Sequence, residues 1–208
     1  MRRSVAADLC TYPQLTGRTL VTAPTEEPVT RALAIAHLRD NPDTDQADYI
    51  DQLIPSAREV VEEKLWRSLC TQTWDFFFEA FPCGDIDVPL APLRSVASIS
   101  YVDADGVSQT LSSSLYSVDA TSEPGRIRPA YNEVWPATRD STMKAVTVRA
   151  VCGYGSAANV PYKVKQAILL VVGDYFNNRE SVVVGTISSR IEGALDSLLA
   201  DHMRPVIG

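Results

Sequence analysis

The side chains best suited to metal binding or nucleophilic attack are two histidines, four cysteines and a short run of aspartates, and their spacing gathers none of them into a site. His37 and His202 each fall near the end of an expected helix, and neither is followed at i+3 or i+4 by a second histidine or a cysteine. Both read as helix-terminal residues satisfied by the helix dipole. Cys10, Cys70, Cys83 and Cys152 stand singly, with no CxxC pair, which disfavours a zinc knuckle and a redox motif. They are expected to be reduced, small and partly buried. Asp43, Asp45 and Asp48 alternate with polar residues as calcium ligands do, but a calcium loop counted from Asp43 needs glycine and glutamate where Asp48 and Ile54 stand. A solvated acidic helix start accounts for the run better. The string GYGSAA at Gly153 to Ala158 imitates a dinucleotide fingerprint without the βαβ unit that would make it one, and Pro161 delays the following helix. It reads as a glycine turn from strand to helix. There is no GxSxG elbow and no phosphate-binding lysine loop, so no enzyme activity and no cofactor are expected.

The elements matter more than the reactive groups. A formal net charge of −7 over 208 residues, with no dense basic run, argues against gripping nucleic acid, whose phosphates call for clustered Lys and Arg. Arg2 and Arg3 are followed by Asp8, Thr11 and Gln14 in place of an apolar core, which argues against a secretory signal. The longest apolar run, Ala167 to Val172, is too short to span a bilayer. The stretch VPYKVKQAILLVVGDYFNNRE at 160–180 predicts a helix with Val164, Ile168, Val171, Val172 and Tyr175 on one face. Leu169, Leu170 and Phe176 lie off that face, so the helix must be covered by more than one neighbour, within the subunit or from another copy. Gly173, costly in a helix interior, is expected to let another backbone approach.

Residues 1–24, with Pro13, Gly17 and Pro24, predict an extended arm. Thr25 with Glu26, Glu27 and Pro28 predicts a helix start, and the helix runs to about Arg39 on a stripe of Val29, Ala32, Leu33 and Ala36. Asn41-Pro42 stops it. A second helix follows the acidic run, with Ile50, Leu53, Ile54, Ala57, Val61 and Leu65 inward, bent or broken at Pro55. From Thr71 the pattern becomes β-prone, with strands expected at Thr73–Ala80, Asp85–Val88, Val96–Val102, Ser108–Leu111, Tyr116–Val118, Gly125–Arg128 and Ala145–Ala150. The DADG turn at Asp103 to Gly106 joins two of them. After SVVVGTI, a linker or an added strand with Gly185 in it, Ser189 and Glu192 open a last amphipathic helix bearing Ile191, Leu195 and Leu198. The expected architecture is α+β: a helical bundle core of about four helices (25–70 and 153–180), a small antiparallel β insertion (71–152), an arm (1–24) and a tail (181–208).

The order of ALAIAHLRD, LWRSLCTQTWDF, FPCGDIDVPLAPLRSVASISYVDADG, GRIRPAYNEVWP and VTVRAVCGYGSAANVPYKVKQAILLVVGDYFNNRE, closed by the amphipathic helix, resembles the head-tail connector family of long-tailed phages, the gp6-like adaptors. The resemblance covers about residues 25 to 202. It implies a virion or phage-like particle protein, made in the host cytoplasm and assembled as a ring of commonly twelve copies beneath the portal. Such a ring extends the channel for packaged double-stranded DNA, which passes without sequence-specific binding, and offers a surface to a stopper or other tail-proximal protein. On that reading Val164, Ile168, Leu169, Val172 and Phe176 pack subunit against subunit. Ile191, Leu195, Leu198 and Leu199 anchor the tail on the portal, the alternative being that this helix packs on its own subunit, and Asp43, Asp45, Asp48 and Asp51 face the channel. The alternatives are a tail-side stopper or a ligand-binding accessory module that uses Trp74, Tyr101 and Trp135, residues that otherwise read as core or loop packing.

Overall fold

Thr30, and not Thr25, caps the first helix: its hydroxyl accepts the Leu33 amide at 3.2 Å, satisfying a donor that a helix start leaves open. The computed structural model describes residues 15–39, 44–178 and 189–203. In it, α1 spans Arg31–Leu38 and ends at Arg39 in the left-handed region (φ 54°). Val29 is buried immediately before the cap, so the chain is anchored there before it coils. The second helix, α2, covers Thr44–Leu65 without interruption at Pro55. Proline removes one backbone donor and costs about 3 kcal/mol in a helix interior. Ile50, Leu53, Ile54, Ala57, Val61 and Leu65 are all buried on the same helix, and at about 1.5–3 kcal/mol for each large aliphatic side chain this outweighs the proline.

Among the described residues there are eight strands: β1 Leu15–Thr22, β2 Gln72–Phe78, β3 Ile86–Val88, β4 Leu93–Val102, β5 Ser108–Thr110, β6 Tyr116–Asp119, β7 Gly125–Pro129 and β8 Val146–Cys152. Two more α-helices among the described residues make the fold α+β, α3 at Tyr162–Asn177 and α4 at Ser189–Leu199. A five-stranded sheet has the order β1-β2-β8-β4-β5, and a three-stranded antiparallel sheet the order β3-β7-β6. Burial alternates strictly along β8, where Val146, Val148, Ala150 and Cys152 point inward. Asp103–Gly106 forms the expected hairpin turn between β4 and β5. The Asp103 carboxylate accepts from the Asp105 and Val107 amides, and Gly106 takes φ +86°. The strand absent from the sequence reading is β1, drawn from the segment read as an arm. It forms one edge of the five-stranded sheet and leaves Leu20 and Val21 exposed, so it carries little periodicity to recognise.

The described residues divide into two units. One is the β unit, 15–21, 73–89 and 93–151; the other is helical, 22–39, 44–72, 90–92, 152–178 and 189–203. In the helical unit α3 touches α1, α2 and α4. The glycine turn before it has the backbone it was expected to need. Gly153 lies at φ +119°, and a Cβ there would stand 2.3 Å from the Cys70 carbonyl oxygen. Gly153 N–H donates to Pro92 O at 2.9 Å and Tyr154 N–H to Leu69 O at 3.0 Å.

An ion cluster lies in the same unit. The Arg58 side chain, 7% exposed, donates to Glu27 at 2.9 Å and to Glu62 at 2.5 Å. The other Glu62 oxygen accepts the Leu69 amide at 2.7 Å and Gln72 Nε2 at 2.6 Å. Removing one partner of a buried pair leaves the other charge uncompensated, so Arg58→Ala is expected to lower the unfolding free energy by about 3–5 kcal/mol in urea titration. In the turn after β6, Asp119 accepts from the Thr121 hydroxyl and amide and from the Ser122 amide. The Thr121 hydroxyl leads in holding the carboxyl down at about 2, against an ordinary 3.8. A depressed carboxyl stabilises the fold above its unfolded value and loses that contribution as the pH falls. Asp119→Asn should therefore be less stable than the native chain at neutral pH, with the gap closing between pH 4 and pH 2 in melts across that range.

Candidate functional site

The acidic start of α2 is in part self-neutralised. Arg31 on α1 holds Asp51 through two hydrogen bonds, one of 2.7 Å, and reaches Asp48 at 3.3 Å. The Arg31 hydrogen bond is the main reason the Asp51 carboxyl titrates below its ordinary range. Asp48 and Asp51 thus meet at one cation; Asp43 and the side chain of Asp45 lie outside the described residues.

The over-apolar helix finds its neighbours inside the subunit. Val164, Ile168, Leu169 and Val172 are buried against the rest of the helical unit, while Phe176 stays partly exposed. These four therefore present no free face to a second copy as folded here. Gly173 meets side chains and not backbone: a Cβ there would lie 3.7 Å from His37 Nε2 and 3.9 Å from Leu38 Cδ2, ordinary contact distances. On α4, Leu195 and Leu199 are fully buried, and Ile191 and Leu198 are partly exposed. Asp196 pairs with Lys64 at 2.6 Å, Asp201 pairs with Lys163, and Arg67 Nε donates to the His202 carbonyl at 2.9 Å. Of the four tail anchors, the two that are fully buried, Leu195 and Leu199, are thus already engaged within the subunit.

The cysteines divide. Cys70 and Cys152 are free and buried, and burial pushes both thiols up to about 12, where they stay protonated. Cys83 departs from the expected reduced state, because it is disulfide-bonded. Single cysteines far apart in sequence carry no signal of spatial approach. Among the described residues no three His, Cys, Asp or Glu side chains gather around one metal position.

A surface that periodicity did not flag lies in the β unit, on the stretch between β7 and β8. Trp135 stacks on Phe81 at 4.9 Å, its Nε1 donates to Gly84 O at 2.7 Å, and Phe81 meets Tyr101 edge-on at 5.5 Å. Trp135 and Tyr101 are thus packing residues, as is Trp74 beneath the Arg18 guanidinium at 5.2 Å. The anchored stretch presents Tyr131 and Val134 to solvent, 92% and 84% exposed. A cleft of about 300 Å³ lies close by in sequence, lined by Glu79, Ala80 and residues 138–143. The only sequence cue was an aromatic-bearing run bracketed by Pro129 and Pro136.

No protein-family model matches this chain, and no curated protein matches it in sequence. Solved structures match it in fold. A chain of the virion of a native gene transfer agent particle superposes with a TM-score of 0.70 at 18% identity, covering 92% of this chain and 98% of that one. A chain in the neck of an empty gene transfer agent particle, computed with C6 symmetry, has a TM-score of 0.70 at 19% identity with the same coverage. One in the neck of the native particle, computed with C12 symmetry, has 0.63 at 20% identity, covering 91% and 98%. At such identities the likeness is one of fold, and it extends over nearly the whole of each chain.

Since a Cβ on Gly173 meets only ordinary contacts, Gly173→Ala should gain about 1 kcal/mol of helix propensity. That corresponds to a rise in Tm of about 2–4 °C for a chain of this size. A fall in Tm by scanning calorimetry would mean that a close backbone approach does depend on this glycine.

Proposed function

We propose that this chain is a structural head-tail connector of a tailed phage or phage-like particle, an adaptor that forms a ring under the portal and acts mechanically, without catalytic turnover. The observation that carries the reading is the near-complete fold match to neck chains of a gene transfer agent particle, over 92% and 91% of this chain and 98% of each matched one. The C6 and C12 symmetries of those necks support a ring, and the C12 neck favours twelve copies. In this reading the protein sits at the head-tail interface of the particle, meets the portal on one side and a stopper or other tail-proximal protein on the other, and surrounds the DNA channel. The helical unit serves as the core of the ring, with the β unit as an appended module. The net charge of −7 suits a channel wall along which DNA slides without adhering. The pairing of Asp48 and Asp51 with Arg31 assigns the remaining repulsion to other acids.

A tail-side stopper is the nearest alternative and would share the fold. Negative-stain electron microscopy of the purified protein, alone and with its cognate portal, separates the two. The expected result is rings stacked coaxially on the portal. Protein that ignores the portal and binds a tail-side component would establish the stopper reading instead.

A further inference from the structure

The tail helix is fastened like a separate part. Leu195 and Leu199 of α4 are fully buried in the core that contains α3. Around these two leucines, Met203 packs against the same core and three polar ties are added: Lys64 to Asp196, Lys163 to Asp201, and Arg67 to the His202 carbonyl. The chain joining the two helices is long for that task. Residues 178–188 separate the end of α3 from the start of α4. Helices that pack as neighbours are commonly joined by about 2–8 residues, and eleven residues reach about 36–40 Å when extended. The helix itself, 11 residues long, measures only about 16 Å.

Among the described residues of the helical unit, the exposed large apolar side chains are Leu33, Trp66 and Tyr162, placed on α1, just after α2 and at the start of α3. A stable interface needs about 800 Å² from each partner, and three separate side chains do not make a patch of that size. An exchanged helix resolves this. The same leucines and the same ion pairs form between copies as form within one, so the exchange costs little and leaves no apolar groove open in the free subunit. In a ring, the neighbour's groove is present at high effective concentration.

We infer that α4 is exchanged between neighbouring copies of this chain, each copy's Leu195 and Leu199 filling the groove on α3 of the next. The inference rests on the ring assembly proposed above. It would return α3 to a subunit-packing role through the flank that α4 covers.

The test uses full-length protein carrying Lys64→Cys or Asp196→Cys, with a short bismaleimide as the bridge. Rings are first verified by native mass spectrometry, with portal added where the protein alone stays monomeric. Rings assembled from an equal mixture of the two single variants are then bridged and run on a denaturing gel. Exchange predicts covalent dimers at least tenfold above either variant alone, and ladders from the K64C/D196C double variant. A double variant that bridges only within its own chain, in intact rings, would overturn the exchange and leave the ring standing. Failure to form rings in any mixture would overturn both. Lys163→Cys with Asp201→Cys repeats the measurement at a second contact, guarding against a local folding defect at the first; absence of any bridge at both positions in intact rings also overturns it.

Discussion

The Arg58 guanidinium, held 7% exposed between Glu27 and Glu62, is the constraint on which the helical unit depends. Two charges taken out of water repay the cost only when their remaining hydrogen-bonding capacity is met. Glu62 meets it by accepting the Leu69 amide and the Gln72 side chain, which fixes how the chain leaves α2 and where β2 begins. Glu27 brings in the segment ahead of α1. Arg58 and Glu62 together thereby tie α2 to the segment ahead of α1 and to the chain that follows α2, and the close approach of Gly153 to the Cys70 carbonyl occurs just beyond them.

Within that frame α3 is the axis. It touches α1, α2 and α4, and Val164, Ala167, Ile168, Val171 and Val172 are buried without exception. The excess of apolar residues that suggests a contact with other copies is used first inside the subunit. The face that α4 covers is flanked by the Lys64–Asp196 and Lys163–Asp201 pairs, as the α1–α2 contact is flanked by Arg31 with Asp48 and Asp51.

The β unit follows a different logic. Its strands supply the alternating core, as in β8, while its long connection between β7 and β8 is tied down at Trp135 by the stack on Phe81 and leaves Tyr131 and Val134 exposed.

Much of this was legible in the chain itself. The seven strands between Thr71 and Cys152, the Asp103–Gly106 turn, the glycine turn at Gly153 and the helix at 160–180 follow from residue periods and from the few residues that tolerate unusual backbone angles, all local properties. Tertiary structure decided the rest. Whether Thr25 or Thr30 caps α1 depended on where Val29 is buried, and whether Pro55 breaks α2 depended on the packing beneath it. That Leu15–Thr22 is an edge strand, that Arg31 gathers Asp48 and Asp51, and that Arg58 joins Glu27 to Glu62 depend on which distant segments meet. Periodicity records which side of an element is apolar; it does not record what lies against it, because that is set by long-range packing that no local spacing encodes.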